Sequence, residues 1–103
     1  MTDGELLANY LADGSPAAFA QLVERHAPMV YGACLRVTGD RSMAEAAAQA
    51  AFLMLKRQAP RLAGRRVLCG WLHAAAYRAA CAALEGAGGG EILIETRELA
   101  AVD

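Results

Sequence analysis

The stretch 42–58 limits the folds open to this chain more than any other. From Ser42 to about Gln58, the residues Ala46, Ala47, Ala48, Ala50, Ala51, Phe52, Leu53, Met54 and Leu55 make a helix that is apolar on nearly every side. Such a helix is either buried all round or covered on part of its surface by a partner. Alanine is the strongest helix former, and its small side chain lets neighbouring helices come close. At 103 residues the chain has room for one core, and two layers of helices suffice to build it. The cover is either the other helices of the chain or a second protein, and the residues leave both open.

The flanking pattern supplies three more helices. Thr2 and Glu5 form a capping box for a helix from about Asp3 to Ala12, with Leu6, Leu7, Tyr10 and Leu11 as its apolar stripe. Asp13-Gly14 ends it. Ser15 then serves as N-cap and Pro16 as first residue of a long helix to about Thr38. Phe19, Leu22, Val23, His26, Val30, Ala33 and Val37 follow its repeat, and Tyr31 and Leu35 make a second apolar edge. Pro28 has no N–H for the carbonyl of Glu24, which predicts a kink or a junction of two helices near His26-Ala27-Pro28. After the stop at Gly39, Ser42 and Glu45 form a second capping box, and Pro60 is expected to end the apolar helix. The last helix runs from about Val67 to Leu84, with Leu68, Trp71, Leu72, Ala75 and Ala79 as core face. His73, Tyr77 and Cys81 lie on another stripe, with Arg78 beside them. The expected fold is all-α, a compact bundle of about four helices over residues 1–85. A glycine-rich break and a short acidic tail follow over 86–103. Residues 91–95 read as a strand, or 96–102 as a turn or two of helix, ordered against a partner or a second copy of the chain.

Several classes are disfavoured. No apolar run reaches the ~18 residues of a membrane span. The acidic start Met1-Thr2-Asp3-Gly4-Glu5 lacks the basic region of a signal peptide, so the chain is read as cytoplasmic. There is no Ser-His-Asp set, no phosphate loop and no carboxylate pair in an apolar setting, so no enzyme and no cofactor is expected. Cys34, Cys69 and Cys81 are an odd number at wide spacing. They read as buried free thiols rather than a disulfide framework. Cys69 and His73 share a helix face, and Cys34, His26 and Cys81 complete the conceivable ligands, but the spacing of a zinc site is missing and no metal is expected. His26, on an apolar stripe, reads as a core or boundary histidine with one hydrogen bond. His73 reads as a surface residue. Trp71, at helical spacing from Leu68 and Ala75, falls at a core position.

The net charge of −1 hides an asymmetry. Residues 46–84 hold Lys56, Arg57, Arg61, Arg65, Arg66 and Arg78 and no acid, whereas the segments on either side are acidic. The positive field is therefore local to the turn Arg61-Leu62-Ala63-Gly64-Arg65-Arg66 and the helices that flank it. A basic loop next to aromatic residues is a candidate nucleic-acid surface. The bland alternative is a solvated helix end.

The run Asp3-x-x-Leu6-Leu7-x-x-Tyr10-Leu11-x-x-Gly14-x-x-x-Ala18-Phe19-x-x-Leu22-Val23-x-Arg25-His26-x-x-x-Val30-Tyr31 resembles the opening of an extracytoplasmic-function (ECF) sigma factor. The likeness continues through Arg36, Gly39-Asp40-Arg41, Ala44-Glu45, Gln49 and Phe52-Leu53. It resumes at Gly70-Trp71-Leu72-His73 and Ala76-Tyr77-Arg78, covering about residues 3–84. The part resembled is region 2, the all-helical domain of RNA polymerase sigma factors. The resemblance implies that Glu45, Gln49, Phe52, Leu53 and Lys56 dock on the clamp helices of the polymerase largest subunit. It implies that Arg61, Arg65, Arg66, Trp71, His73, Tyr77 and Arg78 engage the promoter −10 element, and that an anti-sigma regulator is a further partner.

The departures from the family are specific. Met43, Ala46 and Ala50 stand where acids are common, and Cys81-Ala82-Ala83-Leu84-Glu85 stands where arginines usually follow the last helix. No region 4 helix-turn-helix is present, which suggests an excised domain or a shortened, altered relative. Two readings of different class follow from this. One is a transcription-initiation domain that binds polymerase core and promoter DNA. The other is a protein-interaction or self-association module on the same scaffold, with its contacts made partly through the tail and DNA binding lost. A redox or metal sensor built on Cys69, His73 and Cys81 is a third.

Overall fold

Three of the four helices begin where the residue before them takes up an unpaired N–H group with its side chain. In the computed structural model, which describes residues 1–86, the four are α1 (Asp3–Asp13), α2 (Pro16–Thr38), α3 (Arg41–Leu62) and α4 (Cys69–Glu85). The expected glycine-rich break and tail, with the alternative strand or helix within it, lie outside the described residues apart from Gly86. Among the described residues the fold is all-α.

The Thr2 hydroxyl accepts from the Glu5 N–H at 3.1 Å, and the Glu5 carboxylate accepts from the Thr2 N–H at 2.7 Å. Ser15 caps α2 through the N–H of Ala18. Gly14 and Gly39 close α1 and α2 in the left-handed conformation, at φ 63° and 66°, where a side chain would be strained.

Three expectations about these helices are corrected. Asp40, not Ser42, caps α3: its carboxylate accepts from the Met43 N–H at 2.9 Å. Pro60 does not end α3, which runs on to Leu62. Ala59 and Leu62 are buried on its inner face, and that burial holds the last turn although Pro60 gives no N–H to it. Finally, α2 passes through Pro28 as one helix, so the expected junction of two helices is not there. Pro28 is on the exposed side, so the carbonyl it leaves unpaired can turn to water.

The helices α2, α3 and α4 pack mutually, while α1 lies chiefly on α2 and touches α3. Small residues at helical spacing make the central contacts: Ala44, Ala47 and Ala51 on α3, and Ala75, Ala76, Ala79 and Ala80 on α4. Larger side chains fill the space around them, among them Leu6, Leu7, Leu22, Val30, Leu55, Leu72 and Trp71. The Cys34 thiol, buried between α2 and α4, donates to the carbonyl of Ala76 at 3.5 Å, and burial pushes its pKa up. All three cysteines are free, but the expectation of burial holds only for Cys34: Cys69 is exposed as the first residue of α4, and Cys81 is half-buried.

Candidate functional site

The alanine-rich helix α3 is covered by its own chain on one side only. Ala44, Ala47, Ala51, Leu55 and Ala59 face inward, each fully buried. Glu45, Gln49, Leu53 and Lys56 are exposed, and Phe52 is half-buried against the core. These five recur at the spacing of one helix face. Leu53 is 54 % exposed, an apolar side chain left open among polar neighbours. Beside it runs an open groove of about 300 Å³, walled by Val23, Ala27 and Tyr31 of α2 and by Glu45, Gln49 and Phe52 of α3. The arrangement offers an apolar trough with one carboxylate and one amide at its rim, which suits the side chains of another helix.

The basic loop lies between α3 and α4. Arg61 is exposed on the last turn of α3, Arg66 is exposed and Arg65 half-buried. The Arg65 N–H donates to the Leu62 carbonyl at 3.0 Å, which turns the chain away from the helix. On α4, His73, Tyr77 and Arg78 are exposed, with His73 and Tyr77 one turn apart on one face. Trp71 must be removed from the set of nucleic-acid contacts. It is 1 % exposed and packs in the core with Leu68 and Leu72, so no base can stack on it. Its indole N–H and the Oε1 of the buried Gln58 are without a hydrogen-bond partner.

Sequence reasoning missed the residue that holds the loop in place. Asp3 is 6 % exposed, and three groups from distant parts of the chain converge on its carboxylate. Arg25 and His26 of α2 each donate to Oδ1 at 3.0 Å, and the backbone N–H of Leu68 donates to Oδ2 at 2.9 Å. Burial alone would raise the Asp3 pKa. The hydrogen bonds from Leu68, His26 and Arg25 outweigh it and hold the carboxyl below its ordinary value. Leu68 is the N-cap of α4 and provides no side-chain cap, so Asp3 supplies the acceptor. A second strand of contact joins the Gly4 N–H to the Arg66 carbonyl at 3.4 Å. The available signal was an acid three and four residues before Leu6 and Leu7, on the buried face of α1.

Between α1 and the loop lies an open depression of about 400 Å³, lined by Thr2, Gly4 and Glu5 on one side and by Gly64, Arg65 and Arg66 on the other. Among the described residues, no three His, Cys, Asp or Glu side chains come together as a metal site would require. Nor is any described helix long and apolar enough to cross a membrane.

The family model described as Sigma-70 region 2 matches residues 22–88. The match spans most of α2 and all of α3 and α4, and leaves α1 outside. No curated protein and no solved structure matches the chain.

Proposed function

The chain belongs to the sigma-70 region 2 family, and from that membership we propose that it is a non-enzymatic transcription-initiation domain of the ECF type that binds RNA polymerase core and the promoter −10 element. The outer face of α3, with Glu45, Gln49, Phe52, Leu53 and Lys56, docks on the clamp helices of the polymerase largest subunit. Arg61, Arg65 and Arg66 of the loop region, with His73, Tyr77 and Arg78 of α4, hold the melted −10 strand. The guanidinium groups neutralise phosphates, and the exposed Tyr77 ring offers a face to an unstacked base. The depression beside Arg65 and Arg66 is open enough to take part in the same contact. An anti-sigma regulator would act by covering the α2–α3 groove. Such work at the polymerase belongs in the cytoplasm.

The observation that carries the docking role is the exposure of the apolar Leu53 beside that groove, on the side of α3 that its own chain leaves uncovered. Recovery of polymerase on the immobilised chain tests it. Glu45→Arg combined with Leu53→Arg alters only exposed positions and should abolish recovery while the helices stay intact. Undiminished recovery refutes the docking role.

A second reading keeps the groove and drops the DNA, leaving a protein-interaction or self-association module. It is favoured by the end of α4, where Cys81, Ala82, Ala83, Leu84 and Glu85 offer no positive charge. Titration of single-stranded −10 DNA at two salt concentrations separates the two. A phosphate-binding surface loses affinity steeply with salt, whereas the second reading requires no binding even at low salt.

A further inference from the structure

We propose that the first turn of α1 is a clamp that positions the basic loop, with Asp3 and Gly4 as its positioning residues. The proposal rests on the reading of that loop as a DNA-facing element. Asp3 takes the Leu68 N–H at 2.9 Å and so fixes the residue at which the loop ends and α4 begins. The Gly4 N–H donates to the Arg66 carbonyl at 3.4 Å, one peptide beyond Arg65. The approach is so close that a methyl group on Gly4 would collide with the backbone carbonyl of Arg65, which cannot rotate aside as a side chain would. The two hydrogen bonds bracket Arg66 to Leu68 from the same turn of helix, and the close approach of Gly4 reaches Arg65.

The clamp is rooted in the bundle. The other oxygen of Asp3 is held by Arg25 and His26, both at 3.0 Å, so α1 cannot shift its first turn without breaking contacts to α2. A loop fixed in advance at both its backbone N–H and C=O groups presents its guanidinium groups without the ordering cost that a free loop meets on binding. Residues 1–13 thereby shape the DNA-facing loop although they carry no basic side chain.

Amide exchange measured by NMR on the full chain, beside titration of single-stranded −10 DNA, tests the clamp. In Asp3→Ala the Leu68 amide should exchange about tenfold faster relative to the Leu55 amide of α3, as expected for the loss of one charged acceptor. In Gly4→Ala, which leaves every charge in place, the Arg65 and Arg66 amide signals should move, and DNA affinity should fall about tenfold with polymerase recovery unchanged. Gly4→Ala decides the matter if Asp3→Ala does not fold. Unaltered Leu68 exchange with α3 intact, or wild-type DNA affinity in Gly4→Ala, overturns the clamp. If the wild-type chain binds no DNA, the DNA reading fails, and the exchange and signal changes alone judge the clamp.

Discussion

Asp3 and His26 face each other 3.0 Å apart across the α1–α2 contact, a carboxylate and an imidazole both withdrawn from solvent. Oδ1 of Asp3 also receives Arg25, whose side chain is still 41 % exposed. The arrangement makes α1 part of the bundle rather than an appendage, and it makes stability depend on pH.

The folded pKa of Asp3 lies below its unfolded value, because the bonds from Leu68, His26 and Arg25 overcome burial. On acidification the unfolded state takes up the proton first, so stability falls with pH. The contribution of Asp3 is complete above the ordinary carboxylate range and is lost as pH drops through its lowered folded pKa, below about pH 4. Urea midpoints measured across the acid range should decline for the wild-type chain. Asp3→Asn should cost about 2 kcal/mol at neutral pH and decline less steeply toward acid.

Leu53 and Leu55 are two residues apart with opposite surroundings, 54 % and 0 % exposed. Leu55→Ala should destabilise the bundle by about 2–5 kcal/mol, through the lost transfer energy and the cavity left behind. Leu53→Ala should stay within about 0.5 kcal/mol, as a surface change does. Denaturant unfolding of the two variants, in one buffer, reads the difference directly. Comparable losses would mean that α3 turns another side to solvent.

Gln58 is buried with its Oε1 unpartnered on the inner side of α3. Replacing it by methionine keeps the volume close and removes a desolvated acceptor. Gln58→Met should therefore raise stability by about 1 kcal/mol, seen as a higher urea midpoint at unchanged m-value. A lower midpoint would show that the amide is satisfied in solution.

Asp40→Ala removes the acceptor for the Met43 N–H and should cost about 1 kcal/mol. Ser42→Ala, at the position where the sequence suggested a cap, should change stability by no more than a few tenths of that. The order of the two midpoints decides which residue opens α3.

The helices themselves were legible because their signals are local. A capping box at Thr2 and Glu5, Ser15 followed by Pro16, and left-handed stops at Gly14 and Gly39 each lie within a few residues of what they control. The family likeness was legible for the same reason, as an ordered set of residues from Asp3 of α1 to Arg78 of α4, and the family model matches the part from residue 22 onward. The errors came where long-range packing outweighed a local rule. Burial of Leu62 carried α3 past Pro60. Helical spacing placed Trp71 in the core, where it lies, and the family resemblance alone had put it in the DNA-facing set. Asp3 escaped notice because its partners lie 22, 23 and 65 residues away, and no periodicity joins them. Of the docking set, Glu45, Gln49, Leu53 and Lys56 could be placed on one face from spacing alone. That this face stays open could not, since it depends on where α2 and α4 stop covering α3.

Polymerase binding rests on α3 offering Leu53 to the largest subunit. A photoreactive amino acid placed at position 53 of the full chain, irradiated with purified polymerase core, tests this most directly. The expected result is an adduct with the largest subunit that an excess of unlabelled chain suppresses. Polymerase that is bound by the chain yet gives no adduct from position 53, or an adduct confined to another subunit, would contradict it.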